Sequence, residues 1–225
     1  MLKMWVIVTA AGSSRRMGGV NKLLMPLHGK PLLVHTLSYF EKHSLVRGVV
    51  VSAPADQREV YLSLVREHGL SKVVAVVAGG AERQDSIRNA LGALSCSAEE
   101  AVAIHDGARP CLSGDLLERL VEALQGAEGS LPMVAVKDTI KRVDGQGKVL
   151  QTLVRSELFA AQTPQVFRYA AIVEAHRKAH AEGYLGTDDC SLIEYFGGTI
   201  RAVEGDYRNL KVTTPEDVEM VEAYV

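Results

Sequence analysis

Short runs of apolar residues alternate along this chain with longer segments in which apolar residues recur at helical spacing. The runs predict buried strands, and the longer segments predict amphipathic helices. The predicted strands are Trp5–Ala10, Gly48–Ser52, Val73–Val77, Ala101–Ile104 and Leu131–Val136. The predicted helices are Pro31–His43, Asp56–His68, Arg83–Leu94 and Gly114–Leu124. Strands that are apolar on both faces indicate a mostly parallel sheet with helices on both sides, so we expect a doubly wound, Rossmann-like α/β fold.

Residues that commonly begin helices support this pattern. Pro31 suits the first position of a helix, and Ser113 suits an N-cap. Thr214 and Pro215 predict the cap and first residue of a short C-terminal helix. No Pro/Gly/Ser-rich linker or charge block divides the 225 residues, so residues 1–225 are expected to form one domain.

The alternation of strands and helices stops after Val136. Residues 137–155 (KDTIKRVDGQGKVLQTLVR) predict a strand, a turn around Asp144–Gly147 and a second strand. A two-stranded ribbon on its own is only marginally stable in water, so it needs a surface to pack against. We expect this β-hairpin to protrude as an arm that embraces a second subunit. The alternative is a hairpin folded back on its own domain.

Composition narrows the function classes. The hydrophobic fraction of 47% allows a sizeable core, and a formal net charge of −2 with a pI near 6.4 gives no broad basic surface for long nucleic acids. Arginines interrupt the first apolar run too early for a secretory or membrane segment, so we expect a soluble, cytoplasmic protein. The three cysteines, Cys96, Cys111 and Cys190, lack metal-type spacing and are expected to be reduced and not ligating.

The loop after the first strand has the composition of a polyphosphate site. Its small residues allow backbone N–H groups to approach a ligand, and no acidic residue lies among its cations. The small residues are Ala10, Ala11 and Gly12, and the cations are Arg15, Arg16 and Lys22. The alternative is an ordinary loop with solvated cations. The loop fits neither GxxxxGK[ST] nor GxGxxG, in which Ser14 replaces a glycine, so a P-loop NTPase and a standard nicotinamide dehydrogenase are disfavoured.

The segment AGGAERQDS follows the third predicted strand, at the sheet edge where open α/β folds bind ligands. Gly79 and Gly80 allow a ligand to approach the backbone closely. The hydroxyl of Ser86 can both donate and accept, so it could read the edge of a nucleobase. The alternative is a turn followed by a serine that only caps a helix.

The segment HDGARP follows the fourth predicted strand and faces the same crevice. Asp106 is a candidate ligand for Mg²⁺, which takes one or two protein carboxylates and fills its other positions with phosphate oxygens and water. The alternative is an ion pair between Asp106 and Arg109 that fixes the turn. His105 is expected to be a structural or orienting residue more than a base.

Seven short motifs, taken together and in order, resemble the 2-C-methyl-D-erythritol 4-phosphate cytidylyltransferase family of the non-mevalonate isoprenoid pathway, within the nucleotidyltransferases that activate sugar phosphates. The motifs are AAGSSRRM with Asn21-Lys22, GGAERQDSI, HDGARP, KDTIKR, AQTPQVF, GTDDCSLIE and NLKVTTPED. The resemblance runs nearly from end to end. It implies transfer of a cytidylyl group from CTP to 2-C-methyl-D-erythritol 4-phosphate, with Mg²⁺ as cofactor and a homodimer as the assembly.

The resemblance also implies roles for individual residues. Cytidine would be held by Ala10, Ala11, Gly12, Gly80 and Ser86. The catalytic cations would be Arg16 and Lys22 at the triphosphate and Lys211 near the α-phosphate. The polyol phosphate would be framed by Asp106, which is also associated with the metal, and by Thr139, Arg155, Thr163 and Thr187. Because Thr139 and Arg155 belong to the arm, they would reach the active site of the neighbouring subunit.

The chain departs from the family pattern at three positions. Ser14 stands where the loop often has a glycine, which costs about 1 kcal/mol if that position needs a positive φ. Asn21 precedes Lys22 where proline is usual, and this change is expected to loosen the loop. Ala81 replaces a residue that is frequently acidic. These departures affect the loop geometry more than the type of reaction.

The expected chemistry is in-line attack by a phosphate oxygen of the acceptor on the α-phosphorus of CTP. That nucleophile is already an anion, so cations and not a general base carry the catalysis. Two alternatives remain open: a cytidylyltransferase for another polyol phosphate such as ribitol 5-phosphate, and a non-catalytic nucleotide-binding module. The presence of Arg16, Lys22, Asp106 and Lys211 argues against the module.

Overall fold

A computed structural model describes residues 2–12, 21–112 and 114–225 of the protein. Its strands are β1 (Met4–Thr9), β2 (Pro26–Leu27), β3 (Lys30–Pro31), β4 (Val46–Ala53), β5 (Val73–Ala78), β6 (Ala101–Asp106), β7 (Gly129–Ala135), β8 (Lys141–Val143), β9 (Val149–Thr152), β10 (Phe159–Ala161), β11 (Gln165–Arg168) and β12 (Ile200–Glu204). Its helices are α1 (Leu32–Lys42), α2 (Arg58–Glu67), α3 (Arg83–Gly92), α4 (Leu116–Ala123), α5 (Tyr169–Glu182), α6 (Asp189–Tyr195) and α7 (Pro215–Glu222).

The central sheet of the described residues has eight strands in the order β10-β7-β11-β6-β1-β4-β5, with β12 paired to β7. Strand β1 runs parallel to both β4 and β6, and β4 runs parallel to β5. Strand β11 lies antiparallel between β6 and β7. The predicted mostly parallel sheet is therefore confirmed. Its parallel strands end along one edge, where the site residues follow them.

Helices cover both faces of this sheet because successive side chains of its strands point to opposite sides. On β1, Val6 and Val8 belong to a buried cluster with residues of α1, α2 and α4. Trp5 and Ile7 belong to a second buried cluster with residues of α3, α5 and α6. Val221 of α7 returns the end of the chain to the first cluster. The predicted doubly wound architecture follows from this division.

Some element boundaries differ from the sequence prediction. Pro31 is the N-cap residue of α1 and not its first helical residue. Thr214 caps α7, and Pro215 is its first residue, as predicted. The predicted Ser113 cap lies outside the described residues. Helices α5 and α6 and strands β2, β3 and β10 to β12 were not predicted from the sequence, because they are short or mix apolar and polar residues less regularly.

Residues 137–155 form the predicted hairpin. Strands β8 and β9 pair with each other in a separate two-stranded sheet, and the Asp144 backbone accepts from Gly147 in the turn. The apolar side chains of Val143, Val149 and Leu150 are each about half exposed. The hairpin itself is therefore confirmed, and its contact with a second subunit stays a prediction.

Two further sequence expectations concern cysteines and membranes. All three cysteines are free thiols, and burial, aided by the charge of Asp206, raises the pKa of Cys111 to about 11. A buried thiol of this kind is chemically inert. In the described part of the chain, no helix combines the length and apolar character that a membrane crossing requires.

Candidate active site

A cavity of about 480 Å³ opens at the carboxyl ends of β1, β5 and β6. This is the edge at which open α/β sheets bind ligands. Its walls come from segments far apart in the chain, which the sheet topology brings together. The described lining residues are Thr9, Ala10, Ala11, Gly12, Lys22, Leu23, Gly80, Ala81, Glu82, Arg83, Ser86, Asp106, Gly107, Ala108 and Lys211.

The wall after β5 is built for close contact between backbones. A side chain on Gly79 would collide with the Cβ atom of Ala11, so only glycine fits there. The buried hydroxyl of Ser86 accepts a hydrogen bond from the Gly80 N–H at 2.9 Å and donates to the Glu82 carbonyl at 3.1 Å. The cap of α3 is Glu82 and not Ser86. Ser86 thus fixes the shape of the loop beside the cavity.

Lys22 enters the cavity from the first residue of a 3-10 turn, Lys22–Leu24. Its Nζ donates to the carbonyl of Val212 at 2.6 Å, which ties the turn to the segment that carries Lys211. The ammonium group is therefore held in place on one side by the chain itself. A cation held this way is preorganised for an anionic ligand.

Asn21 caps the turn that carries Lys22. Its Oδ1 accepts from the Leu23 N–H at 3.2 Å, and its Nδ2 donates to Gln57 at 2.9 Å and to the Tyr61 hydroxyl at 3.0 Å. The Tyr61 hydroxyl donates in turn to the carbonyl of Ala10 at 3.3 Å. These hydrogen bonds fix Asn21 at the end of the loop, whereas the expected loosening concerns residues 13–20, which lie outside the described residues.

Asp106 lies at the centre of a cluster of cations. Lys211 Nζ is 2.8 Å from its Oδ2, whereas Arg109 Nε is 3.6 Å from Oδ2 and Arg83 Nε is 3.6 Å from Oδ1. Burial alone would raise the pKa of Asp106, but the charges of Lys211, Arg83 and Arg109 outweigh it and hold the pKa well below its usual range. The carboxylate is therefore ionised at neutral pH. The pair with Arg109, left open by the sequence, exists but is not the closest one.

His105 and Thr163 form the floor beneath Asp106. The Thr163 hydroxyl lies 3.0 Å from His105 Nδ1 and accepts from the Asp106 N–H at 3.1 Å, and His105 Nε2 lies 3.0 Å from the Arg109 carbonyl. Burial lowers the pKa of His105 to about 4, so the ring is neutral. A neutral ring that donates from Nε2 and accepts at Nδ1 satisfies every one of these contacts. His105 therefore orients its neighbours, as the sequence suggested.

The described residues offer Mg²⁺ one carboxylate oxygen and no cluster of ligands. Among the described residues, no group of three or more His, Cys, Asp or Glu side chains could hold a metal. Asp106 Oδ1, however, has only long contacts, 3.4 Å from the Thr9 hydroxyl and 3.6 Å from Arg83. One carboxylate oxygen of this kind fits Mg²⁺ that arrives with phosphate oxygens and water as its other ligands.

A second cavity of about 200 Å³ adjoins the first, and Glu82 and Arg83 line both. Its other wall is the loop before α6, which includes Thr187. The cap of α6 is Asp188, which accepts from the Ser191 N–H at 2.9 Å, so Thr187 is not the cap. The two cavities therefore offer adjacent places for a larger and a smaller ligand.

The match between this chain and a family model shows which family the chain belongs to. The model described as 2-C-methyl-D-erythritol 4-phosphate cytidylyltransferase matches residues 4–225. The chain belongs to this family.

Relatives of this cytidylyltransferase family agree in sequence and in fold. The curated 2-C-methyl-D-erythritol 4-phosphate cytidylyltransferase of Geotalea uraniireducens is 46% identical over 231 residues, covering 100% of this chain and 97% of the relative. The crystal structure of the enzyme of that name from Francisella tularensis matches with a TM-score of 0.85 at 28% identity, covering 99% of this chain and 100% of that one. The structure from Thermus thermophilus matches with a TM-score of 0.80 at 30% identity, covering 99% and 98%.

The cavities gather most, but not all, of the residues that the family resemblance selected. Eight of them line the main cavity: Ala10, Ala11, Gly12, Lys22, Gly80, Ser86, Asp106 and Lys211. Thr187 lines the second cavity, and Thr163 lies beneath Asp106. Thr139 and Arg155 are exposed and line neither cavity of the single chain. Arg16 lies outside the described residues.

No role for Arg83 was predicted from the sequence, although the motif GGAERQDSI contains it. Arg83 is the first residue of α3 and lines both cavities. The available signal was a cation soon after a glycine pair at a strand end. What the sequence could not show is its contact with Asp189, which lies 106 positions away.

Proposed function

We infer that the protein transfers a cytidylyl group from CTP to 2-C-methyl-D-erythritol 4-phosphate, releasing pyrophosphate and 4-diphosphocytidyl-2-C-methyl-D-erythritol. Membership in the cytidylyltransferase family over residues 4–225 supports this activity. The observation that carries the inference is the convergence of Lys22, Asp106 and Lys211 in one cavity at the ends of parallel strands. Such a cavity can concentrate positive charge on a nucleoside triphosphate.

The chemistry is a direct displacement at the α-phosphorus. An oxygen of the acceptor phosphate forms the new P–O bond, and the bond between the α-phosphorus and the bridging oxygen of pyrophosphate breaks. No proton needs to be removed from the nucleophile, which agrees with a neutral, buried His105. The barrier lies in bringing two anions together, so Lys22, Lys211 and Arg16 act by neutralising charge in the transition state.

Mg²⁺ is proposed as the cofactor, with Asp106 as its protein ligand. When bound, the metal would withdraw negative charge from the phosphates. Lys211, at 2.8 Å from Oδ2, holds the carboxylate so that Oδ1 stays available. Lys211 would thereby both position Asp106 and face the α-phosphate.

The cytidine is proposed to bind against the backbone of Ala10, Ala11 and Gly12 and against the Gly80 loop. Ser86 shapes that loop through its bond to the Gly80 N–H. A base read by backbone groups requires a fixed loop, because a displaced N–H loses its hydrogen bond to the base. Substitution of Ser86 is therefore expected to affect the choice of base.

The acceptor is proposed to occupy the region between Asp106 and Thr187, with Thr139 and Arg155 supplied by a second subunit. In the single chain Arg155 is exposed, and its Nη1 donates a hydrogen bond to the Lys137 carbonyl at 3.0 Å. The exposed apolar side chains of the arm support a homodimer formed through residues 137–155.

The central sheet includes strands from Met4 to Glu204, and Val221 rejoins its core, which supports one domain over residues 1–225. Three free thiols, of which Cys111 and Cys190 are buried, agree with a reducing, cytoplasmic location.

The activity is tested by pyrophosphate release from the purified protein with Mg²⁺. CTP is compared with ATP, GTP and UTP, and methylerythritol phosphate is compared with ribitol 5-phosphate. Release only with CTP and methylerythritol phosphate is the expected result. Release with ribitol 5-phosphate instead would change the assigned acceptor to ribitol 5-phosphate. No pyrophosphate release with any pair would contradict an enzymatic role.

The shared active site is tested by mixing two inactive variants. Lys22→Ala removes a cation of the chain's own cavity, and Arg155→Ala removes the residue proposed to come from the partner. If the arm crosses, mixed dimers hold one intact site, and random pairing restores roughly a quarter of wild-type activity. A mixture of Lys22→Ala with Lys211→Ala is the control, because both residues line the same cavity of one chain and no intact site can form. If neither mixture regains activity, the result would contradict an arm that crosses to the neighbouring subunit.

A further inference from the structure

Arg83 occupies the wall between the two cavities. It is the first residue of α3, its side chain is 34% exposed, and it lines both the main cavity and the smaller one beside Thr187. Among the described residues that line the smaller cavity, it is the one cation. A phosphorylated acceptor whose polyol part enters the smaller cavity would therefore place its phosphate next to this guanidinium.

A buried pair of side chains fixes the position of Arg83. Asp189, the first residue of α6, is 1% exposed, and its Oδ2 accepts from Arg83 Nη1 at 2.7 Å. The other oxygen, Oδ1, lies 3.1 Å from Nε2 of His176, which is on α5 and 2% exposed. Each oxygen of the carboxylate thus has its own donor, and two packed helices hold the donors in place.

Asp189 remains charged despite its burial. Burial alone would raise its pKa, but the charge of Arg83 and the hydrogen bond from His176 outweigh it and lower the pKa below its usual value. The carboxylate is therefore ionised under working conditions and attracts the guanidinium continuously. Buried ion pairs are weak evidence for a stabilising role, since apolar residues of the same size often replace them without loss. The buried pair is therefore better explained by the group that it holds, the guanidinium of Arg83.

The Arg83 guanidinium makes one short contact, with Asp189, and one long contact, with Asp106. Its bond to Asp189 has the length of a charge-assisted hydrogen bond, whereas its Nε is 3.6 Å from Asp106 Oδ1, beyond hydrogen-bonding distance. Within the described residues, Asp189 is the single hydrogen-bond acceptor of this guanidinium. Arginine carries five N–H donors in a planar fork, so donors remain for a phosphate at the cavity wall.

We propose that Arg83 binds the phosphate of the acceptor, and that the buried His176–Asp189 pair is a positioning device that fixes its guanidinium between the two cavities. This proposal rests on the proposed function, and it adds a cation supplied by the same chain to the acceptor site. Arg83 then acts on the acceptor, while Lys22 in the main cavity acts on the nucleotide.

Steady-state kinetics of pyrophosphate release test the role of Arg83, with KM measured separately for CTP and for methylerythritol phosphate. Arg83→Gln is expected to raise the acceptor KM about tenfold or more and to change the CTP KM less than about twofold. Arg83→Lys restores the charge but not the fork, so it is expected to recover part of the loss. An unchanged acceptor KM in Arg83→Gln, or a rise confined to CTP, would overturn the proposal.

The positioning pair is tested through its dependence on Arg83. His176→Leu removes the donor to Asp189 and is expected to raise the acceptor KM about threefold to tenfold, while His176→Gln keeps a donor and is expected to recover most of it. In the Arg83→Gln background, His176→Leu should add less than about twofold, because the effect passes through Arg83. Equal effects of His176→Leu in both backgrounds would show a merely structural role and overturn the positioning claim.

Thermal unfolding of each variant separates folding from function. If His176→Leu does not fold, Asp189→Asn provides the same test, since it removes the charge that holds Arg83 and keeps the shape. An Asp189→Asn variant with a wild-type acceptor KM would contradict the positioning role. Wild-type protein that releases no pyrophosphate would overturn the proposed function, whereas an active wild type with unchanged variants would overturn only this inference.

Discussion

The main cavity and the arm at residues 137–155 differ in how far one chain completes them. In the cavity, Asp106 has three cations within 3.6 Å, and His105 and Thr163 satisfy each other beneath it. In the arm, β8 and β9 pair only with each other, and Leu150 is 51% exposed. The cavity is therefore assembled by intrachain contacts, whereas the arm presents apolar side chains that the described residues leave about half exposed.

The cavity and the arm therefore depend on the sequence in different ways. The cavity draws its residues from segments across the whole chain, so it exists only when the sheet has formed. The arm is local in sequence and forms its own turn, but its apolar side chains need a second surface. We therefore expect changes in the cavity to abolish chemistry in every subunit, and changes at the apolar face of the arm to act through assembly.

The largest expected effect comes from Lys22→Ala. Loss of a preorganised cation at the triphosphate should lower kcat by about 10²–10³, while the lost bond to the Val212 carbonyl should cost only about 1 kcal/mol of folding free energy. Steady-state pyrophosphate release and urea unfolding measure the two quantities. Lys30→Ala, at an exposed lysine of β3, is the matched control and should retain wild-type turnover. Near wild-type turnover in Lys22→Ala would contradict the catalytic role of the cavity.

The next effect is a loss of stability in acid that originates in the cavity floor. Burial lowers the pKa of His105 from 6.5 to about 4, so between these values the unfolded chain binds a proton that the folded protein does not. The free energy of unfolding should therefore fall by about 3 kcal/mol as pH drops through this window. Urea unfolding in metal-free buffer at several pH values measures it. His105→Gln, which cannot titrate, should flatten the profile, and an equally steep profile would contradict this source.

The arm is expected to affect mass and activity together. Leu150→Asp places a charge on the exposed apolar face, so it should convert a dimer into monomers and, by removing the neighbouring arm from the site, lower activity by about tenfold or more. Light scattering measures the mass, and thermal unfolding should show that the monomer remains folded because Leu150 is not in the core. Gln146→Asp, at the exposed turn of the same hairpin, is the control and should remain dimeric. A wild-type protein that is already monomeric would contradict the arm's role.

The smallest effect concerns the cap that replaces the usual proline. Asn21→Ala removes the bonds to Leu23, Gln57 and Tyr61 and should cost about 1 kcal/mol of stability. Asn21→Asp retains the acceptor for the Leu23 N–H but loses both donors, so it should fall between wild type and alanine. Chemical denaturation measures the series. Full stability in Asn21→Ala would show that the turn does not need its cap.

Particular residues show where sequence reasoning succeeded and where it ended. The apolar strands and periodic helices led to the observed sheet, since burial on both faces is a local property of composition. The glycine pair before Ser86 and the aspartate that ends β6 were correctly placed at the sheet edge for the same reason. The role of Ser86 in fixing the Gly80 N–H was not foreseen, because a hydroxyl in sequence does not show its partner.

By itself, the amino-acid sequence was sufficient for the family, for the alternating strands and helices up to the hairpin and for most residue types of the cavity, because these follow from periodicity and short motifs along the backbone. The tertiary structure was needed to show that Lys211 and not Arg109 is the closest partner of Asp106, and that Asp189 and His176 hold Arg83 between two cavities. Partners of this kind are separated by up to 106 positions, and their distances depend on how helices pack across a sheet. Packing is a property of the whole folded chain, so no local pattern encodes it.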